Sequence, residues 1–338
     1  MENVQTNITK SDFQIDGQVK WCAGCGSYAI LAAVQKALPA TGVTKENVVF
    51  VSGIGCSSRF PYYMKTYGFH TLHGRAIPIA SGLKSARPDL NVWITTGDGD
   101  SMAIGGNHFI HMIRRNLDLN VLVFNNKIYG LTKGQYSPTT PFGAVTKSSP
   151  DGTIEKPFEP GELVMGAQGT FFARVIDKEI KGMEEVIIAA AKHKGTSIVE
   201  VLQNCVIFND ATHECIIGKD VKDDRTIYLE HGKKMIFGKN RDKGLILDGN
   251  DLRVEKIGEN GVTLDDILVH DKTIQNPNIH YMLARMSYPD LPVAIGVIRS
   301  VEQSTYDALL QQQVDEAVAN TKIHNVLDLL NSGKIFDI

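Results

Sequence analysis

The most constraining feature of this sequence is a series of short apolar segments that alternate with helical segments through its first two thirds. Strands that alternate with helices predict an α/β fold with a doubly wound, mostly parallel sheet and helices on both faces. Apolar content and helical spacing, together with the stopping prolines, set the expected bounds. The predicted strands are 47–51, 92–96, 120–124 and 197–202, and the predicted helices are 27–38, 76–86, 102–115 and 183–194.

Composition and texture divide the chain into three parts. Residues 1–20 are polar and predict an N-terminal arm, and residues 21–215 carry the alternating pattern of the main domain. Residues 216–338 predict a C-terminal extension, because the amino-acid composition there becomes polar, charged and rich in glycine. Within that extension, 230–262 predicts a small β-rich appendage and 305–330 a terminal helical segment.

Charge and hydropathy exclude several classes of function for these 338 residues. The net charge of −3 gives no basic excess with which to bind nucleic acid or a membrane surface in general. No apolar stretch is long enough to span a bilayer, and the first 20 residues contain no signal-peptide core. We therefore expect a cytoplasmic protein, whose cysteines more often bind metals or catalyse reactions than form disulfides.

Polar motifs follow two of the predicted strands directly. Gly97-Asp98-Gly99 ends one strand, and Asn125-Asn126 ends the next. A carboxylate oxygen of Asp98, an amide oxygen of Asn126 and a carbonyl such as that of Ile128 are the hard ligands that Mg²⁺ prefers. The glycines and the following helix N-terminus suit a diphosphate. Alone, Gly-Asp-Gly would indicate only a turn, but the flanking strands and helix favour a binding site.

Four of the five cysteines form a second set of candidate ligands. The Cys22-x-x-Cys25 pair is common to zinc sites, redox dithiols and iron–sulfur clusters. Cys56 and Cys205 could complete the four thiolates of a cubane, and one pair with two distant singles matches no common zinc finger. The alternative is that Cys56 and Cys205 are ordinary buried cysteines. For Cys215 that alternative is preferred.

The motifs together resemble a known family. Gly-Asp-Gly followed by Asn-Asn is similar to the signature of the thiamine diphosphate enzymes. With the cysteines, His73-Gly74-Arg75-Ala76 and Val201-Leu202-Gln203-x-Cys205, residues 18–215 resemble the β subunit of the 2-oxoacid:ferredoxin oxidoreductases, most of all the 2-oxoglutarate type. The resemblance implies a thiamine-diphosphate-binding fold of the diphosphate-binding type.

The resemblance also implies a set of site residues. It implies Mg²⁺ ligation by Asp98, Asn126 and the Ile128 carbonyl. It implies that four thiolates hold one [4Fe-4S] cluster: Cys22, Cys25, Cys56 and Cys205. Contacts to thiamine diphosphate are implied for Ile54, Gly55, Cys56, Ser57, His73, Gly99, Asp100, Gly130 and Leu131.

The activity implied is the reversible, coenzyme A-dependent oxidative decarboxylation of 2-oxoglutarate to succinyl-CoA and CO₂, with electrons passed through the cluster to ferredoxin. His73 is a candidate catalytic residue, and Arg59 and Lys133 are candidates to hold substrate carboxylates, with surface solvation as the alternative for both. The chain has only the diphosphate half of a thiamine site. The resemblance therefore implies an α subunit that carries the pyrimidine-binding domain, in an (αβ)₂ assembly.

Three alternatives stay open on the sequence. The same chemistry could act on pyruvate or a branched-chain 2-oxoacid. A non-redox thiamine diphosphate decarboxylase or carboligase would need no cluster, so the four cysteines argue against it. A zinc-binding or regulatory module without catalysis would use the cysteines differently, and metal analysis distinguishes it from the main prediction.

Overall fold

The structure, a computed structural model, describes residues 8–334. It contains one large mixed sheet and one small antiparallel sheet, with helices packed around the former. The strands are β1 (Val48–Ser52), β2 (Tyr67–His70), β3 (Asn91–Gly97), β4 (Asn120–Asn125), β5 (Phe171–Ile176), β6 (Ser197–Leu202), β7 (Thr226–Leu229), β8 (Ile236–Phe237), β9 (Lys243–Asp248), β10 (Asp251–Lys256) and β11 (Val293–Ser300). The helices are α1 (Ser27–Ala37), α2 (Ala76–Ala86), α3 (Asp98–Met102), α4 (Gly106–Arg115), α5 (Pro160–Gly166), α6 (Ile180–Lys192), α7 (Glu214–Ile217), α8 (Lys222–Arg225), α9 (Asn278–Arg285), α10 (Tyr306–Asn320) and α11 (Val326–Leu330).

The large sheet has eight strands in the order β2-β1-β3-β4-β6-β5-β11-β7. Every neighbouring pair is parallel except β5 and β11, which are antiparallel. The predicted α/β fold with a mostly parallel sheet is therefore confirmed. Sequence reasoning missed β2, β5, β7 and β11, and two of these, β7 and β11, come from beyond residue 215 and extend the main sheet.

Both faces of the sheet are covered, which explains why its central strands are apolar throughout. In β1, Val49 and Val51 pack into the core beneath α2 and α4, while Val48 and Phe50 pack into the core beneath α1 and α6. This alternation follows from the two-residue period of a strand. The two cores lie on opposite faces, as a doubly wound fold requires.

The carboxyl ends of four adjacent strands form one edge of the sheet. Strands β1, β3, β4 and β6 are parallel neighbours, so the segments that follow them emerge side by side. Those segments are the loop at Cys56, the Gly97-Asp98-Gly99 motif, the Asn125-Asn126 motif and the loop at Cys205. Ligands of open α/β sheets bind at this edge.

The helix predicted over 102–115 is present but begins later than expected. Helix α3 begins at Asp98, inside the motif, and ends at Met102, and α4 begins only at Gly106. Between them the chain turns tightly at Gly105, where a Cβ atom would lie 2.4 Å from the Asp100 carbonyl oxygen. The break places the Gly-Asp-Gly motif in the first turn of its own short helix.

The predicted arm and the predicted C-terminal extension both contain residues that the structure describes. In the predicted arm, Phe13 is fully buried in the core beside α1, and residues 1–7 lie outside the described range. The predicted β-rich segment contains β8, β9 and β10, which form the small antiparallel sheet. Helices α10 and α11 match the predicted terminal helical segment. Among the described helices, none combines the length and apolar character needed to cross a bilayer.

Candidate active site

A cavity of about 580 Å³ opens at the carboxyl edge of β1, β3 and β4. Its volume lies within the range of small-molecule and cofactor sites. All the residues that the sequence assigns to thiamine diphosphate and Mg²⁺ line this one cavity. They are Ile54, Gly55, Cys56, Ser57, His73, Asp98, Gly99, Asp100, Asn126, Ile128, Gly130 and Leu131.

The carboxylate of Asp98 is buried and already held by the chain. The hydroxyl of Ser137 donates to Oδ2 at 2.5 Å, and the hydroxyl of Thr139 donates to the same oxygen at 2.6 Å. Burial raises the pKa of Asp98, and these hydrogen bonds oppose that rise. Both side-chain bonds end on Oδ2, so the other oxygen is left without a side-chain partner, as a monodentate ligand of a divalent cation requires.

Three buried hydroxyls, which we call the hydroxyl loop (Ser137, Thr139 and Thr140), join the two motifs. Besides the two bonds to Asp98, Thr140 donates to the Lys127 carbonyl at 2.7 Å, between the predicted ligands Asn126 and Ile128. One short loop therefore orients both motifs. Sequence reasoning missed it because Ser-Pro-Thr-Thr has no periodicity and resembles any polar turn.

The second motif is held by a tight turn. The Asn126 side-chain oxygen accepts from the Ile128 backbone N–H at 3.2 Å, and Ile128 is buried. Lys127 between them has a φ of 56°, in the left-handed region that non-glycine residues adopt infrequently. The turn places the Asn126 amide and the Ile128 backbone at the cavity wall with Asp98. This donor set suits Mg²⁺.

Behind Asn126, a buried charged pair supports the neighbouring Asn125. The Asn125 amide donates to Glu200 Oε1 at 2.7 Å, and Arg174 Nε donates to Glu200 Oε2 at 2.7 Å. Burial alone would raise the pKa of Glu200, but the charge of Arg174 and these hydrogen bonds lower it. His213 adds a bond of 2.9 Å between its Nε2 and the Asn125 carbonyl oxygen.

Asp100 also lines the cavity, and its side chain is held by the chain itself, while its diphosphate contact stays a prediction. Its Oδ1 accepts from the backbone N–H groups of Ile54 and Gly74, at 3.2 and 2.7 Å, and lies 2.6 Å from His73 Nδ1. Its Oδ2 accepts from Thr96 at 2.9 Å. With both oxygens engaged, the Asp100 carboxylate anchors the two loops that carry Ile54 and His73.

His73 is the predicted catalytic residue that the structure places in the cavity wall. With Nδ1–H donated to Asp100, its Nε2 remains as an acceptor. Its ring lies 6.2 Å from that of Tyr129, whose hydroxyl donates to the Gly99 carbonyl at 3.0 Å. A Cβ atom at Gly99 would lie 2.2 Å from the Tyr129 ring, so this close approach requires glycine. Burial raises the pKa of Tyr129 to about 12.

The four predicted cluster cysteines come together at one end of this cavity. A Cβ atom placed on Gly130 would lie 3.5 Å from Cys56 Sγ and 3.7 Å from Cys205 Sγ. Burial, followed by the nearby Cys25, Cys205 and Cys22, raises the pKa of Cys56 to about 11. Burial is likewise the main cause of a raised pKa at Cys25, where Cys205 and Cys22 also contribute. Cys215, for which an ordinary buried cysteine was predicted, is exposed instead, and it contributes to neither shift.

Four thiols are the number of ligands that an iron–sulfur cubane takes. Within residues 8–334, no three His, Cys, Asp or Glu side chains lie close enough to hold a single metal ion. The four thiols nevertheless act on each other electrostatically. A zinc site would need tetrahedral ligands at about 2.3 Å from the metal, whereas a cubane separates its thiolates over several iron atoms. The donor set therefore fits an iron–sulfur cluster.

Arg59 and Lys133 do not line the cavity. Arg59 is exposed and donates a hydrogen bond from Nε to the Tyr63 hydroxyl at 2.9 Å. It lies near enough to Cys56 for its charge to act on that thiol. Lys133 is exposed, with a φ of 76°, and lines a separate groove beside Ile207 and Phe208. A substrate contact by either residue stays a prediction.

Comparison with known proteins gives consistent matches. Residues 53–201 match the family described as thiamine pyrophosphate enzyme, C-terminal TPP binding domain. The chain is 48% identical over 304 residues to 2-oxoglutarate oxidoreductase subunit KorB of Mycobacterium tuberculosis, which covers 90% of this chain and 81% of that protein. It is 47% identical over 185 residues to 2-oxoglutarate synthase subunit KorB of Archaeoglobus fulgidus, covering 55% and 69%.

Among solved structures, the chain is similar to a 2-oxoglutarate:ferredoxin oxidoreductase from Magnetococcus marinus with 2-oxoglutarate, coenzyme A and succinyl-CoA bound. The TM-score is 0.78 at 29% sequence identity, and the match covers 98% of each chain. The likeness therefore includes the C-terminal part of the chain as well as the motifs.

Proposed function

Because this chain belongs to the 2-oxoacid:ferredoxin oxidoreductase β-subunit family, we propose that it acts with an α subunit in the coenzyme A-dependent oxidative decarboxylation of 2-oxoglutarate to succinyl-CoA and CO₂. The family predicted from the motifs is confirmed. One observation carries the redox part of the proposal: Cys56 lines the same cavity as Asp98. A thiamine enzyme without redox chemistry has no need of four convergent cysteines at its diphosphate site.

Different residues of the cavity would bind Mg²⁺ and the diphosphate of thiamine diphosphate. Asp98, Asn126 and the Ile128 carbonyl would hold Mg²⁺, and Gly99 and the first N–H groups of α3 would face the diphosphate. When bound, thiamine diphosphate supplies the carbanion chemistry that cleaves the bond between the keto carbon and the carboxylate. His73, held by Asp100, presents Nε2 as the group that accepts or returns a proton in the cavity.

The four thiolates of Cys22, Cys25, Cys56 and Cys205 would hold one [4Fe-4S] cluster beside this site. When bound there, such a cluster would supply one-electron transfer between the thiamine site and ferredoxin. Gly130 lies between the two halves of the site, because it lines the cavity and because a Cβ atom at this position would lie within 3.7 Å of the sulfurs of Cys56 and Cys205. A side chain there would fill the space between them. Its absence supports close placement of the two prosthetic groups.

The names of relatives as β subunits support the proposed partners. Among the described residues, only the diphosphate side of a thiamine site is present, so an α subunit supplies the pyrimidine-binding side in the proposed (αβ)₂ assembly. Ferredoxin is the proposed electron acceptor, and coenzyme A the acyl acceptor. The five cysteines form no disulfides in the structure, and an oxidisable cluster needs a reducing compartment, so we place the enzyme in the cytoplasm.

The proposed substrate is 2-oxoglutarate, and pyruvate or a branched-chain 2-oxoacid is the alternative. The names of the relatives in M. tuberculosis and A. fulgidus and of the M. marinus structure support this choice. The cavity residues of this chain do not decide it, because Arg59 and Lys133 lie outside its wall. Residues of the α subunit complete the carboxylate-binding surface in our proposal.

Anaerobic co-expression with the α-subunit gene tests the proposal. Purified complex should reduce a viologen dye only when 2-oxoglutarate, coenzyme A, thiamine diphosphate and Mg²⁺ are all present. In competition, 2-oxoglutarate should exceed pyruvate in kcat/KM. A preference for pyruvate would overturn the substrate assignment, and CO₂ release without dye reduction would indicate a non-redox thiamine enzyme. Zinc without iron or sulfide would indicate a regulatory module.

A further inference from the structure

Gln203 is a buried residue of the cavity wall to which neither the motifs nor the mechanism above assigns a role. It follows β6 directly, two residues before Cys205, and only 1% of its surface is exposed. Its side chain lies between the metal-binding motif at Asn126 and the cysteine loop at Cys25. Its single carboxamide group reaches both the Asn126 side chain and the cysteine loop.

Each end of the Gln203 carboxamide has its own partner. Its Oε1 accepts a hydrogen bond from Asn126 Nδ2 at 3.3 Å. Its Nε2 donates to Ser27 Oγ at 2.7 Å and lies 3.9 Å from Cys25 Sγ, at the outer limit of a hydrogen bond to sulfur. The donor and acceptor groups of one amide are thus divided between the two halves of the site.

The packing of the cysteine loop fixes the position of this side chain. A Cβ atom at Gly26 would lie 2.9 Å from Gln203 Cγ and 2.0 Å from Asp177 Oδ2. Glycine at position 26 therefore lets the loop after Cys25 lie directly on Gln203. Since the side chain is buried and bonded at both ends, it cannot move from one site without affecting the other.

We propose that Gln203 is a positioning residue that couples the Mg²⁺–diphosphate site to the iron–sulfur cluster. The inference rests on the function proposed above. Its oxygen holds the Asn126 amide nitrogen and so orients the amide oxygen that would face Mg²⁺. Its N–H group points toward a cluster thiolate, where a hydrogen bond favours the reduced, more negative cluster and raises its potential.

Two substitutions separate these effects. Gln203→Met keeps the length of the side chain but removes both the donor and the acceptor. Gln203→Glu keeps an acceptor for Asn126 and removes the amide donor near Cys25. Gln35→Met is the matched control, because Gln35 is also buried and hydrogen-bonded, to the Tyr63 carbonyl, but contacts neither site.

Two measurements on the anaerobic αβ complex provide the readouts. The midpoint potential of the cluster is taken from a redox titration followed by electron paramagnetic resonance. The affinity for Mg²⁺ at saturating thiamine diphosphate is taken from protein fluorescence. We expect Gln203→Met to lower the potential and to weaken Mg²⁺ binding by roughly 10-fold or more, the usual effect of losing a partner behind a ligand. Gln203→Glu should lower the potential but, unlike Gln203→Met, should not weaken Mg²⁺ binding, because the acceptor for Asn126 is kept.

Several outcomes would overturn the inference. Unchanged potential in both Gln203 variants, or an equal change in Gln35→Met, would remove the proposed coupling. Loss of the cluster from both Gln203 variants but not from Gln35→Met would reduce Gln203 to a folding role. If the unsubstituted complex contains no iron, the proposed function itself fails, a result distinct from failure of the coupling.

Discussion

The two halves of the cavity differ in how far the chain prepares them for their ligands. At the metal-binding half, buried Asp98 receives two side-chain hydrogen bonds and Asp100 receives four hydrogen bonds from the chain. At the cysteine half, Cys22 is exposed and Cys25, Cys56 and Cys205 are partly exposed on loops. Burial and mutual repulsion also raise the pKa of Cys56, so its thiolate form is unfavourable without iron.

This contrast indicates two ways to build a site. The metal half is preorganised, because its carboxylates are oriented by the fold before any cation arrives. The cysteine half has its ligands in place but needs the bound cluster to favour the thiolates, since metal binding deprotonates its ligands. Substitutions at the cysteine half should therefore remove the cluster and leave the fold. Substitutions behind the metal half should affect stability and cation affinity.

The largest effect is expected from Cys56→Ser. Without this ligand the complex should lose its cluster, and 2-oxoglutarate-dependent dye reduction should fall to background, while Mg²⁺ and thiamine diphosphate still bind. Iron and sulfide analysis measures the cluster, and fluorescence titration measures the binding of Mg²⁺ and thiamine diphosphate. Cys215→Ser is the control, because Cys215 is exposed and is not one of the proposed cluster ligands. Retention of a full cluster in Cys56→Ser would contradict the assigned ligand set.

Glu200→Gln tests the scaffold behind the metal half. Leaving Arg174 buried without its carboxylate partner should lower the free energy of unfolding by about 3–5 kcal/mol, measured by urea denaturation. The exposed pair Lys178–Glu214 offers a matched control, in which Glu214→Gln should cost less than about 1 kcal/mol. Equal effects of the two substitutions would argue that the buried pair has no special role.

Acid should weaken the same scaffold through His213. Burial lowers its pKa to about 4, and its buried Nδ1 has no hydrogen-bond partner. Because the unfolded chain binds the proton more readily, this residue's contribution to stability is present above pH ~6.5 and declines as pH falls toward 4.

The loss from His213 should reach about 3 kcal/mol at most. Unfolding measured across this pH range should become less pH-dependent in His213→Gln, which keeps a donor for the Asn125 carbonyl. Exposed His324→Gln should leave the profile unchanged. An unaltered profile in His213→Gln would argue against this assignment.

The smallest effect is expected from the hydroxyl loop. The double substitution Ser137→Ala/Thr139→Val removes both side-chain bonds to Asp98 and should weaken Mg²⁺ binding by about 10–100-fold. Iron content should not change, because these hydroxyls contact no cysteine. Exposed Ser148→Ala, further along the same loop, serves as the control. Loss of iron together with Mg²⁺ affinity would contradict the proposal that the metal-binding half and the cysteine half respond separately to substitution.

Much of the cavity could be predicted from sequence because its residues follow strands directly. Asp98 and Asn126 directly follow adjacent apolar strands, and parallel pairing then brings them to one edge. The supporting residues could not be found this way. Ser137 and Thr139 lie in an irregular loop, and their partner is fixed only by tertiary folding, 39 and 41 residues away in the chain.

The same limits explain the differences in the fold. Strand β11 begins at Val293, far from β5 in sequence, and no local pattern specifies that the two pair in antiparallel fashion. The start of the helix predicted over 102–115 differs from the structure, because the apolar periodicity was followed although Gly105 and Gly106 interrupt the segment. Arg59 and Lys133 were assigned by proximity to motifs, whereas the direction of a loop side chain depends on its neighbours.

One measurement tests the central claim that both prosthetic groups share a single cavity. The anaerobic αβ complex is mixed with 2-oxoglutarate in the absence of ferredoxin and frozen, and the cluster is examined by electron paramagnetic resonance. We predict a reduced-cluster signal that requires both thiamine diphosphate and Mg²⁺ and that is absent from Cys56→Ser. Release of CO₂ with the iron left oxidised would contradict the account.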